Sequence, residues 1–415
     1  MTRTLNIIGD PFILGVNYWP RRKAMYWWSD FDAGEVREEF AIIQALGLHL
    51  VRIFLLWDDW QPAPDQVNMQ ALADLETVSD IAADLGLKLD VTFFTGHMSG
   101  PNWAPAWMLR PGGYPAPGVL RVVSRGQIAH RGYANMFTDE TALAAERLLL
   151  RTVVGAMAGH PGIGLWNLGN EPDLFAWPPN ATAGRAWVRE MTAIIHELDD
   201  QRPVTCGLHV ASLTQDNGLR VNDVFAETDV AVMHGYPMYV AWSQSPLHPH
   251  FIPYLAALTT ALGGKPCLME EFGGPTQPPG VPTGVQAWIG YGQSIKLFIP
   301  SEEDLAAYLE QTLPALVEAG ALGAMLWCFA DYDPALWERP PCDESRHERH
   351  FGLLRPDGSL KPHAAVIRSF AATRPTVQFP NHPLRLDLSP EDYYRSPELH
   401  ASRLYRQQLR STAGR

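Results

Sequence analysis

The chain has 415 residues, a formal net charge of −13 and a sequence pI of about 5.5, with 46% apolar and 19% charged residues. That balance belongs to a globular protein with a large core and excludes disorder in bulk. The acidity argues against nucleic acid and anionic lipid as partners, and no run of about 18 apolar residues offers a membrane span.

Residues 1–11 lack a basic segment followed by a long apolar one, so no signal peptide is predicted and the expected location is cytoplasmic. Residues 12–18 (FILGVNY) read as a first strand. A helix is predicted over 32–46, with Phe40, Ile43 and Leu46 at helical spacing and Gly47 as its stop. A second strand follows at 48–56 (LHLVRIFLL), then a helix at 69–85 ending at Gly86, then a third strand at 87–95. Residues 97–133, rich in Pro, Gly and Trp, read as a long loop. After it come a helix at 140–158, a fourth strand at 162–167, a helix at 185–198 and short strands at 203–208, 230–234 and 266–271. A second Pro/Gly-rich segment at 277–284 precedes a helix at 302–319, where Pro314 predicts a kink or a split. The eighth strand is expected at 324–329.

Short continuous apolar runs alternating with helical patterns are the mark of βα units around a buried parallel sheet. Eight such units predict an α/β protein, a (β/α)8 TIM barrel over residues 1–370 whose long loops gather on the C-terminal face. No G-x-G-x-x-G or phosphate loop supports a doubly wound sheet. From about residue 371 the rhythm stops, and Pro375, Pro380 and Pro383 mark an extended stretch. The C-terminal extension 371–415 is expected to pack on the barrel or on a neighbouring subunit, which leaves a homo-oligomer open. Cys206, Cys267, Cys328 and Cys342 have no zinc spacing and read as buried free thiols in a reducing compartment.

Two strand ends carry acids that structure alone does not explain. The fourth strand runs into Trp166-Asn167-Leu168-Gly169-Asn170-Glu171-Pro172, and a residue before proline is pushed out of the helical region. The seventh ends in Glu270-Glu271-Phe272-Gly273, and burying a charge without a partner is costly. Glycosidic cleavage needs two carboxyl groups meeting at one sugar carbon, and in a barrel both must stand at strand C-termini. Glu270 itself reads as a charge turned to the barrel–helix layer or to a salt bridge. The cluster in ESRHERHFG, with Glu344, His347, Glu348 and His350, lacks the i, i+4 histidine pair of a zinc helix and reads as a solvated loop or rim contact.

With Asn-Glu-Pro on a fourth strand and Glu-Phe-Gly on a seventh, the chain resembles the clan A glycoside hydrolases over about residues 12–370, most closely glycoside hydrolase family 5. The resemblance implies Glu171 as acid/base, Glu271 as nucleophile and Asn170 on the sugar 2-hydroxyl. It implies Arg52 and Tyr236 as partners of the nucleophile, His97 and His234 near the cleft floor, and Trp327 as the sugar platform. Metals and organic cofactors are not required. The acid role asks that the Glu171 pKa be raised while Glu271 stays charged.

The sequences MEEFGGPT and HGYP resemble the mannan-directed branches of family 5. They imply an exo-acting β-mannosidase on oligosaccharides, with the third- and seventh-strand loops walling off one end of the cleft. β-Glucosidase, β-galactosidase, endo-β-mannanase and endoglucanase activities stay open. A non-catalytic carbohydrate-binding barrel or a metal-dependent barrel hydrolase are the rivals from other classes.

Overall fold

Ile13–Asn17, Leu50–Leu56, Lys88–Thr95, Ile163–Asn170, Val204–Gly207, Ala231–His234, Cys267–Gly273 and Gly323–Trp327 form eight strands in one sheet. In spatial order they run fifth, fourth, third, second, first, eighth, seventh, sixth, and every neighbouring pair is parallel. The fifth and sixth strands face each other across the seam. Hydrogen bonds from Asp229 N to Val204 O (2.8 Å) and from His234 N to Leu208 O (2.8 Å), with a parallel bridge from His209 to His234, close it. This computed structural model describes residues 8–114 and 121–413, without the side chains of 411–413. Parts of the expected N-terminal segment (1–7), of the third-strand loop (115–120) and of the tail (414–415) lie outside the described residues.

Each strand falls within three residues of the stretch predicted for it at either end, because strands buried on both faces must be apolar throughout. The predicted helices appear at Ala33–Ala45, Met69–Asp84, Glu140–Met157, Ala181–Leu198 and Glu302–Glu318. Asp32, Asn68, Asp139, Asn180 and Ser301 cap them by accepting from backbone N–H groups of the first turn. The last runs unbroken through Pro314, so the expected split does not occur. Pro362–Ala372 follows the eighth strand and packs on the first, with Phe370 edge-on to Phe12.

Two elements carry no prediction. Phe251–Gly263 (FIPYLAALTTALG), between the sixth and seventh strands, is apolar on every side and buried along most of its length. Its outer face is covered by the tail helix Pro397–Ala413: the Tyr405 ring packs on Phe251, Tyr254 and Trp242. Tyr393 and Tyr394 donate to the backbone carbonyls of Leu213 (2.7 Å) and Ser212 (2.8 Å). The second element is the antiparallel hairpin Gly284–Gly290/Gln293–Ile299, which rises after the seventh strand. Among the described residues no helix is long and apolar enough to cross a membrane.

Candidate active site

The barrel interior turns polar toward the C-terminal ends of its strands, around Arg52 on the second strand. Its guanidinium is fully buried and reaches four elements at once. Nη1 donates to Glu271 Oε1 (2.6 Å), Nη2 to Asn170 Oδ1 (3.1 Å) and Nε to Thr92 Oγ1 (2.9 Å), while Glu270 Oε2 lies 3.3 Å from Nη2. Such a fork needs a bare neighbour. A Cβ on Gly207 of the fifth strand would meet Nη2 at 2.7 Å and the Gly169 carbonyl oxygen at 2.6 Å, so this position takes glycine.

Alternation along a strand would turn Glu270 and Glu271 to opposite faces. The register against both neighbours slips here: Met233 and His234 pair with Met269 and Glu271, and Ala324 and Leu326 pair with Met269 and Phe272. This bulge turns both carboxylates inward. Glu270 therefore does not face the helix layer. It accepts from Asn167 Nδ2 (3.0 Å), lies 2.9 Å from His234 Nε2 and is paired with Arg52, so the expected salt bridge is present but inside the barrel.

Glu171 follows the fourth strand with φ +45° and ψ +54°, a left-handed conformation uncommon for a residue with a side chain. Its N–H donates to Gly207 O (2.9 Å) and its carbonyl accepts from Leu174 N–H (2.9 Å), and this turn lifts the carboxylate to the mouth of the barrel. Oε1 lies 2.9 Å from His234 Nδ1. The three groups Glu171, His234 and Glu271 bring ligating atoms within 4.8 Å of one another, the one cluster among the described residues with metal-holding geometry.

All eight predicted residues gather here. Glu271 accepts from Arg52 on one oxygen and from the Tyr236 hydroxyl on the other (3.0 Å). Asn170 donates to the His97 carbonyl (3.1 Å) while accepting from Arg52, which leaves it one N–H and one lone pair for a ligand. His97 is buried, with Nδ1 2.7 Å from Asn102 Oδ1. Trp327 ends the eighth strand 5% exposed, edge-on to Phe54, and a cis peptide follows it. Glu171, Glu271, His234, Tyr236, Asn170, His97 and Trp327 line a cavity of about 290 Å³, with Arg52 beneath it.

Four further residues of that cavity were not predicted as ligand contacts. His209, just past the fifth strand, bonds Asp173 Oδ2 (2.8 Å); a titratable side chain one step beyond an apolar run was the available signal. Ser99, His347 and Glu348 form another part of the wall. The reading of ESRHERHFG as a solvated loop is thus corrected: Glu348 is 9% exposed and accepts from Ser99 Oγ (3.1 Å) and Trp327 Nε1 (3.3 Å). The cover is knit from three loops. Trp288 of the hairpin stacks obliquely over His347 and donates to Glu344 O (2.7 Å), and the Tyr291 hydroxyl meets Ser345 Oγ (2.7 Å). The third-strand loop joins them where Gly100 packs on Ser345 and Tyr291.

Electrostatically the pair is reversed from the expected assignment. Burial raises Glu171, but the imidazoles of His209, His234 and His97 outweigh it and hold its carboxyl low. Burial pushes Glu271 up against the pull of His234 and Arg52. Burial pulls His234 and His209 down, yet the carboxylates around them bring both to about 9. The physical reason is the protonated His234 ring, donating through both nitrogens to acids. In the free site the mobile proton therefore rests on the imidazoles and not on Glu171. Glu348 rises to about 7 through burial.

The model of the glycosyl hydrolases family 2 TIM barrel domain matches residues 122–333. Mannan endo-1,4-β-mannosidase A of Hypocrea jecorina is 24% identical over 271 residues, 61% of this chain; the match spans only 59% of that enzyme's own length. Among solved structures, the GH5_18 protein of Streptomyces cattleya with bound GlcNAc has a TM-score of 0.79 at 23% identity, covering 98% of this chain and 92% of that one. A structure of its variant holds Manβ1-4GlcNAc. An exo-β-1,4-mannosidase from Opitutaceae bacterium strain TAV5 has a TM-score of 0.70 at 25% identity, over 88% of this chain and 60% of that one.

Proposed function

Because the chain belongs to the glycosyl hydrolases family 2 TIM-barrel family, within the clan A glycoside hydrolases, we propose that it removes β-mannosyl residues from the non-reducing ends of oligosaccharides with retention of configuration. The observation that carries the reading is the carboxylate pair across a small cavity, with oxygens of Glu171 and Glu271 within 4.8 Å. Double displacement works at about 5–5.5 Å between carboxyl groups, whereas inversion needs roughly 6.5–9.5 Å to admit a water.

In the mechanism, Glu271 attacks the anomeric carbon, its charge supported by Arg52 and the Tyr236 hydroxyl. The leaving oxygen takes a proton from Glu171, which is resupplied along the 2.9 Å contact with His234 Nδ1. The C1–oxygen bond breaks as the C1–Glu271 bond forms. Glu171, now a base, takes a proton from water, which attacks C1 and releases the sugar with its β configuration. Trp327 supplies the face on which the ring stacks, and Asn170 a polar contact for the 2-hydroxyl.

Mannose is favoured by the mannan-directed names of the similar enzymes. Exo action is favoured by the cover over the cavity, whose volume lies at the low end for ligand sites. Manβ1-4GlcNAc, held by a structure that matches 98% of the chain, is a substrate to test beside manno-oligosaccharides. Four free buried cysteines fit a reducing compartment, and we assign the enzyme to the cytoplasm.

The test is a panel of aryl β-mannoside, glucoside, galactoside and xyloside with wild type and Glu271→Ala. Hydrolysis of the mannoside, loss of several orders of magnitude in the variant and rescue by azide are expected. Normal turnover by Glu271→Ala sinks the assignment. Polymeric mannan cleaved internally, in preference to oligosaccharide ends, sinks exo action.

A further inference from the structure

We propose that Glu348 selects the sugar: its carboxylate takes the 4-hydroxyl of the pyranose lying on Trp327, and so admits only a chain end whose 4-position is free. This rests on the glycosidase reading and names the group that inspects the edge of the ring remote from the bond being cut.

Double displacement makes no use of Glu348, yet the fold buries this acid in the wall of the reaction cavity. A carboxylate offers about four acceptor sites. Oε2 is engaged by Ser99 and Trp327, while Oε1 has only a 3.4 Å contact with His347 Nε2. His347 Nδ1 is buried and has no hydrogen-bond partner among the described residues. Buried polar atoms without partners are rare, and two adjacent ones in a cavity wall mark where a ligand's polar groups belong.

The geometry says which groups. The anomeric carbon must stand between Glu171 and Glu271, in a cluster that does not include Glu348. In a six-membered ring, C4 stands directly across from C1. The indole that would carry the ring has its N–H tied to Glu348, so the acid borders the platform. Behind it the turn Arg346–His350 is braced by Trp288, and the Tyr291 and Ser345 hydroxyls meet beside it. A further sugar on O4 would have to displace this packing.

An equatorial 4-hydroxyl, as in mannose and glucose, meets the acid; the axial one of galactose is directed elsewhere. The experiment measures kcat and KM for aryl β-mannoside and its 4-deoxy analogue with wild type and Glu348→Gln. Glutamine keeps one oxygen to accept from Ser99 and Trp327, so the platform stays. Wild type should prefer the mannoside roughly 10- to 100-fold in kcat/KM, the value of a hydrogen bond to a charged group. In the variant the preference should fall to a few-fold, with the 4-deoxy sugar turned over nearly as by wild type. An equal loss on both sugars would show Glu348 only holding Trp327 and overturns the proposal. So does wild type accepting the 4-deoxy sugar as well as the mannoside, a result that needs no variant. Wild type that hydrolyses neither sugar overturns the glycosidase reading itself.

Discussion

Replacing Arg52 by methionine removes the cation on which the barrel mouth is organised. The guanidinium touches Glu271 at 2.6 Å and Glu270 at 3.3 Å, contacts each worth roughly 5–6 kcal/mol gross at an effective dielectric near 20. The desolvation of the arginine, recovered in the variant, offsets much of this, and breaking a buried ion pair on one side costs about 3–5 kcal/mol net. Against a total stability of roughly 5–15 kcal/mol that is a large fraction. Asp90, 3.9 Å from Arg52 Nε, does not add a third charge, because burial and Glu270 push its carboxyl well up. Glu270 is thus the charge left most exposed to the loss. In urea unfolding at pH 7, Arg52→Met should lose about 3–5 kcal/mol, and Arg52→Met/Glu270→Gln should lose less than the sum of the single variants by about 2 kcal/mol. An Arg52→Met protein within 1 kcal/mol of wild type, or strictly additive variants, would refute this account of the interior.

The His209 imidazole, raised from 6.5 to about 9 by Asp173 and Glu171 against burial, contributes stability that is complete below pH 6.5 and lost as pH rises through 9, at most about 3 kcal/mol. Urea midpoints from pH 7 to 10 should therefore fall more steeply for wild type than for His209→Gln; parallel slopes contradict it. Tyr405→Ala should cost about 3–5 kcal/mol by emptying the space between Phe251, Tyr254 and Trp242, read as a drop in Tm, and an unchanged Tm would mean the tail contributes nothing there. Two-carboxylate chemistry needs no Lewis acid, so prolonged EDTA treatment should leave kcat unchanged. A chelator-dependent loss restored by one metal would favour a metal-dependent hydrolase.

How much of this was legible in the sequence follows from periodicity. The eight strands stood out because burial on both faces makes them apolar runs, and Glu171 and Glu271 because acids at the ends of such runs conflict with burial. Glu270 was misplaced because alternation assumes an unbroken pleat, and the bulge at Met269–Phe272 breaks it. The helix Phe251–Gly263 escaped because a helix covered on all sides has no polar face to give it a period. The hairpin escaped because its two-residue turn, Tyr291-Gly292, takes positive φ at both positions with tyrosine where asparagine or aspartate is the usual signal. Glu348 and His209 sit in loops, where no repeat marks a side chain as inward.

The apolar helix beneath Tyr405 has a consequence for the order in which the protein is made. At about 5–20 residues per second, the ribosome reaches Tyr405 roughly 7–28 s after finishing Gly263. For that interval an oily surface between the sixth and seventh strands has nothing to cover it. The nascent chain is then at its most adhesive, and a holdase that grips this stretch would raise the yield of active protein more than one acting on any earlier strand.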